Sequence, residues 1–150
     1  MYDTTKNILK NLLQMVNDFG FVPNGGRKYY ENRSQPPFLT LMLFKYWNAT
    51  KDNSFVLQNH RTLMKEYNFW MVNRMAEKTS ESNFIFNQYH SRLGFPRPES
   101  FKEDKSLMER AGLSNDTYGQ QRLYSNIASA AESGWDFSSR FVFFCIFMTF

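Results

Sequence analysis

Between residues 4 and 19 the apolar side chains Ile8, Leu9, Leu12, Leu13, Met15, Val16 and Phe19 recur at steps of three and four. That period gathers side chains along one stripe of an α-helix, so the segment predicts a helix with one buried face. Gly20 follows and predicts its end. Residues 21–35 hold Pro23, Asn24, Gly25, Gly26 and Ser34, turn formers that predict a long polar loop. Pro36 and Pro37 suit a first helical turn, and residues 38–47 are apolar nearly all round, which predicts an inner helix buried on most sides. Residues 55–75 return to helical spacing through Phe55, Val56, Leu63, Met64, Tyr67, Trp70 and Met75.

A second loop is expected from about Lys78 through Asn83, Tyr89, Gly94, Pro96 and Pro98. Beyond it the pattern predicts a short helix over 100–110 and a clearer one over 118–133, with Leu123, Ile127, Ala130 and Ala131 on one side. Only residues 83–86 and the terminal run 141–150 admit a strand. The predicted class is all-α, with the unusual residues concentrated in the loops, where function generally sits on a helical scaffold.

Composition changes this picture in a few respects. A chain of 150 residues with 42% hydrophobic and 21% charged side chains is globular rather than disordered, and fits one domain or part of one. The 16 Phe, 8 Tyr and 3 Trp suit a large core or a site for sugars and flat ligands. A net charge of +4 is spread through mixed runs such as Lys102-Glu103-Asp104-Lys105, which gives no basic stripe for nucleic acid. Cys145 alone allows neither an intrachain disulfide nor a cysteine zinc site, and His60 and His90 lack ligand spacing, so no metal is implied; nor is an organic cofactor. No secretory leader is expected in these residues. The ten-residue run 141–150 is too short for a membrane span, which needs about 20 residues.

Three segments combine guanidinium, carboxylate and amide groups with glycine, proline and aromatic rings. They are residues 22–37, with Asn24-Gly25-Gly26-Arg27 and Asn32-Arg33-Ser34-Gln35-Pro36-Pro37; Pro96-Arg97-Pro98-Glu99-Ser100; and residues 130–140, with Glu132-Ser133-Gly134-Trp135-Asp136-Phe137-Ser138-Ser139-Arg140. Planar forks that hold hydroxyls beside rings that cover apolar faces suit a polyhydroxylated ligand, with carbohydrate the leading class. Taken together, and in this order, the segments resemble the trehalases, glycoside hydrolases of family 37, particularly animal and invertebrate members. The helical pattern at Glu66-Tyr67-Asn68-Phe69-Trp70-Met71 is also similar to that family.

The resemblance implies part of an (α/α)6 barrel, a toroid of paired helices with long active-site loops. It implies hydrolysis of α,α-trehalose to two glucoses with inversion, one carboxylic acid protonating the glycosidic oxygen while a second carboxylate activates water. Residue by residue it makes Asp136 the general acid and assigns sugar contacts to Asn24, Arg33, Gln35, Arg97, Glu99 and Gly134. The alternative roles are plainer: a helix-capping aspartate at Asp136, loop-anchoring ion pairs at the arginines, a turn at Gly134. The match covers residues 1–140 as part of a catalytic domain, and 141–150 form a non-matching hydrophobic tail. The family's Pro-Gly-Gly-Arg and Gln-Trp-Asp signatures and the segment bearing its catalytic base have no counterpart here. The expected partner is therefore trehalose, bound by a chain that is inactive alone, and inner helices without their neighbours are expected to expose apolar surface. A noncatalytic sugar-binding or protein-pairing role is the alternative. Full-length animal relatives are expected to be secreted or membrane-anchored outside the cell.

Overall fold

The computed structural model describes residues 2–31, 33–76 and 86–135. Five α-helices are described: α1 (Tyr2–Phe19), α2 (Leu39–Thr50), α3 (Asn53–Asn73), α4 (Phe101–Arg110) and α5 (Thr117–Ser133), with short 3-10 turns at Lys28–Tyr30 and Pro98–Ser100. Among the described residues there is no strand, only an isolated antiparallel bridge between Met75 and Asn87, so the class is all-α, as a partial toroid of paired helices requires. The expectation of a strand over 83–86 falls mainly outside the described residues, as does the 141–150 tail. No described helix is long and apolar enough to cross a membrane.

The chain forms two compact units, one from Met1–Pro23 with Pro36–Gln88, the other from Asn24–Gln35 with Tyr89–Phe150. In the first, α1 presents Leu9, Leu13 and Val16 to Leu39, Leu43 and Tyr46 of α2 and Phe55 of α3. These α1 residues recur at four and three, which explains why the periodic stripe became a buried face. Gly20, at φ +88°, ends α1 in a left-handed turn that a β-carbon would strain. Helix α3 begins two residues earlier than the apolar pattern suggests because Asp52 caps it, accepting from the Phe55 amide at 3.1 Å. The Lys6 ammonium, at 2.6 Å, holds the Asp52 carboxyl well below its ordinary range, with Ser54 and the Phe55 amide adding to the effect.

Helix α2 corrects one expectation. Only Leu39, Leu43 and Tyr46 are buried, whereas Phe38, Leu41, Met42 and Phe44 on and beside it are exposed. One face is thus covered instead of most sides, and the apolar surface expected of an inner helix without its neighbours is present.

The second unit packs Met108 of α4 against Leu123, Tyr124 and Ile127 of α5. Asp116 caps α5 through the Gly119 amide at 2.9 Å, and Gly119 suits this cap because a β-carbon there would collide with the Asp116 carboxylate. Toward its end α5 loses its exposed side altogether: every residue from Ile127 to Ser133 is buried. The small side chains Ala128, Ser129, Ala130 and Ala131 make that close approach possible.

Candidate functional site

A helix end buried on all sides leaves its last carbonyls without water, and each needs a donor. At the end of α5 the donors are specific: the Ser133 hydroxyl reaches Ala130 O at 2.6 Å, the Gly134 amide reaches Ala131 O at 3.3 Å, and Arg33 Nη2 donates to the same Ala131 O at 2.9 Å. A guanidinium at a helix C-terminus also meets the negative end of the helix dipole. Gly134, at φ +72°, closes the helix in the left-handed conformation, and Trp135 follows with its amide bonded to the Ser133 hydroxyl at 3.0 Å.

The other fork of Arg33 goes to Glu99, Nη1 to Oε1 at 3.1 Å, with both side chains largely shielded from solvent. The Arg33 backbone carbonyl accepts from the Asn24 amide at 2.8 Å, and the guanidinium lies 5.5 Å from the centre of the Tyr30 ring. Gly25 lets that ring come close, since a β-carbon would stand 2.9 Å from it. The polar loop over 24–35 is therefore a built structure, folded on Arg33 and Tyr30.

Arg97 is buried at 5% exposure, and its partner Asp104 in the first turn of α4 at 2%. The pairing is bidentate, Nε to Oδ2 at 3.0 Å and Nη2 to Oδ1 at 2.8 Å, and the Arg97 amide adds a third bond to Oδ2 at 2.9 Å. A fork held in this way has lost its rotamer freedom before any ligand arrives.

Arg33, Arg97 and Glu99 line one cleft of about 90 Å³, walled also by Tyr29, Phe95 and Ala128. The rings of Tyr29 and Phe95 are about half exposed, 44% and 55%. Two ordered guanidinium groups, a carboxylate and open aromatic rings are what a polyhydroxylated ligand can use: forks for its hydroxyls, ring faces for its C–H surfaces. Asn24 joins this group through its backbone bond to Arg33, Gln35 is half-buried one residue beyond Ser34, and Gly134 lies at the α5 end that Arg33 holds. Asp136 lies outside the described residues.

Two residues missing from the sequence-based set prove central to the geometry. Glu132 Oε1 accepts from both the Ser34 amide, at 3.1 Å, and the Ser34 hydroxyl, at 2.5 Å, and both residues are buried. The signal for Glu132 was present, because it follows Tyr124 and Ala128 at steps of four on the packed face of α5, and an acid on such a face must be bonded. Ser34 carried no such signal, since a serine in a polar loop is ordinarily solvated.

Comparison with known proteins places the chain in a family. The model of the trehalase family matches residues 1–144. The chain is 43% identical to the Tenebrio molitor trehalase over 143 residues, 95% of this chain and 25% of that protein. It is 42% identical to the Homo sapiens trehalase, covering 95% of this chain and 24% of that protein. With the Apis mellifera trehalase it shares 44% identity, covering 93% of this chain and 22% of that protein. The chain thus spans about a quarter of the length of the curated relatives it matches. Over nearly its whole length, from the α1 stripe through the segments that build the Arg33 cleft and the α5 end, it belongs to the trehalase family.

Proposed function

We propose that this chain is the acid-bearing quarter of an enzyme that hydrolyses α,α-trehalose to two glucose molecules with inversion. Asp136 is the general acid, and Asn24, Arg33, Gln35, Arg97, Glu99 and Gly134 contact sugar. The observation that carries the reading is the Arg33–Glu99 pair, which opens on the cleft beside Arg97 while the same guanidinium holds the α5 carbonyl five residues before Asp136. In the reaction the Asp136 proton passes to the glycosidic oxygen as its bond to the anomeric carbon breaks. Water attacks that carbon from the opposite side and gives its proton to a second carboxylate, which the remaining three quarters of the enzyme supply. Inversion needs the two carboxyl groups roughly 6.5–9.5 Å apart, with the water between them.

The test has two parts. The purified 150-residue chain is expected to bind trehalose without releasing glucose. Exchanged for the matching quarter of the Tenebrio molitor trehalase, it is expected to sustain glucose release that Asp136→Asn removes. Release that survives Asp136→Asn would deny that residue the acid's role. Trehalose binding by the chain with an inactive exchanged enzyme would favour the noncatalytic sugar-binding reading.

A further inference from the structure

Glu132 is 1% exposed and sits in the last turn of α5. A carboxylate so placed has lost its hydration and is tolerable only with strong donors. Two donors from one residue meet it: the Ser34 amide and hydroxyl converge on the same oxygen, Oε1, at 3.1 and 2.5 Å. Ser34 itself is wholly buried. Close by, the Tyr89 hydroxyl has its pKa pushed up, first by burial and then by the Glu132 charge.

The neighbouring bond gives this pair its meaning. Arg33 donates to Ala131 O at 2.9 Å, so consecutive loop residues, Arg33 and Ser34, fasten to consecutive helix residues, Ala131 and Glu132. One attachment point would leave the loop free to pivot about it, whereas two fix its direction as well as its distance. Both attachments involve a charged group, the Arg33 guanidinium at one and the Glu132 carboxylate at the other, and such hydrogen bonds are the stronger kind. The residues on either side of Ser34 are Arg33 and Gln35, the pair assigned to sugar hydroxyls.

We infer that Glu132 is a positioning residue for sugar binding: by holding Ser34 it fixes Arg33 and Gln35 against the end of α5. The inference rests on the sugar-binding reading proposed above. Unlike Arg33, Arg97 and Glu99, Glu132 does not line the cleft, so its effect is exerted through Ser34 and its neighbours. An attachment of this kind preorganises the binding groups, and its loss appears in affinity because the ligand must then order the loop itself.

The full 150-residue chain is titrated with trehalose by ligand-observed NMR, at a temperature where circular dichroism shows each variant folded. Ser34→Ala removes the hydroxyl donor and is expected to weaken trehalose binding by roughly tenfold. Glu132→Ala is expected to weaken it at least as much, and adding Ser34→Ala to that variant to cost nothing more, because the two act through one contact. Glu132→Gln keeps an acceptor oxygen for Ser34 and is expected to restore affinity to within about threefold of the parent. If Glu132→Ala does not fold, Ser34→Ala and Glu132→Gln carry the test by themselves. Trehalose affinities within twofold of the parent for Ser34→Ala and Glu132→Ala, with lowered melting temperatures alone, would show a merely structural contact and overturn the inference while leaving the sugar site intact. A folded parent chain that does not bind trehalose at all overturns the sugar site and the inference together.

Discussion

The two units of the chain solve the same problem, holding a small set of helices in place, by different means. In the unit of α1, α2 and α3 the buried cluster is aliphatic and aromatic, led by Leu9, Leu13, Val16, Leu43 and Phe55. In the unit of α4 and α5 the apolar cluster is smaller, and buried polar groups stand beside it: Arg97 with Asp104, Ser34 with Glu132, and the Ser91 amide with the Ser129 hydroxyl at 2.8 Å. Apolar packing is non-directional and tolerates shifts, whereas a buried hydrogen bond is costly unless its geometry is met. The second arrangement therefore specifies where side chains point, and the second unit is the one that carries the candidate sugar cleft.

The largest effect on this contrast is expected from Asp104→Ala. It leaves the Arg97 guanidinium buried and without its bidentate partner, and breaking a buried pair on one side costs about 3–5 kcal/mol. Thermal or urea unfolding followed by circular dichroism measures it. A loss below about 1 kcal/mol would mean that water enters and that the second unit is less dependent on polar contacts than its geometry indicates. The counterpart in the first unit is Leu13→Ala, a cavity at a position 2% exposed, with an expected loss of about 2–4 kcal/mol by the same assay. The two variants differ in what rescues them: a leucine-to-methionine change at position 13 recovers most of the stability, whereas no apolar replacement of Asp104 helps while Arg97 remains charged.

The apolar unit also holds a buried carboxyl, Glu66. It is 4% exposed on α3, and burial pushes its pKa up from 4.5 to about 7, opposed by a hydrogen bond from the Val22 backbone. The folded state therefore binds a proton more tightly than the unfolded chain does. Stability attributable to this group is full below about pH 4.5, falls as the pH rises, and is lost above about pH 7. Allowing for residual solvent screening, the loss is roughly 1–3 kcal/mol. Glu66→Gln, which cannot ionise, is expected to flatten this decline and to be the more stable form at pH 8. Parallel stability curves for the two proteins from pH 5 to 8 would place the proton elsewhere.

The fold was more legible in the sequence than the site, for physical reasons that particular residues show. The α1 stripe and the α5 pattern carry the helical period in their apolar residues, so their existence and extent could be read directly. Helix starts depend on single capping side chains, and Asp52 moved the start of α3 ahead of its first apolar residue. The extent of burial of α2 could not be read from its apolar surface, because burial depends on what lies beside a helix as well as on the helix itself. In the site, Arg33, Arg97 and Glu99 were named through the family resemblance of their segments, whereas the buried acids of the two units were given no role. Asp104, Glu132 and Glu66 each lie four residues from a buried position on their own helix, namely Met108, Ala128 and Trp70. An acid in register with a buried face is thus the signal that identifies such buried acids, although it does not say which donor will meet them. Ser34 meets Glu132 across 98 residues of chain, a separation that no local pattern encodes.

The smallest expected effect concerns Gly134, where a structural and a ligand-binding role can be separated. Its φ of +72° is strained for any residue with a β-carbon, and in α5 this conformation ends the helix just before Trp135. A β-carbon built there meets nothing within 4 Å among the described residues, so among them Gly134→Ala is opposed by backbone strain and by no clash. The expected loss of stability is about 1 kcal/mol. If glycine is present only to close the helix, trehalose affinity of the folded variant stays at the parent's value, because the αL turn persists at that modest strain. If the open space beside its α-carbon is where sugar approaches, the added methyl group occupies it, and affinity falls by tenfold or more while stability changes by the same 1 kcal/mol or so. Stability and trehalose affinity measured on the same Gly134→Ala sample therefore assign the residue to the turn or to the site, and the assignment as a sugar contact fails if only stability moves.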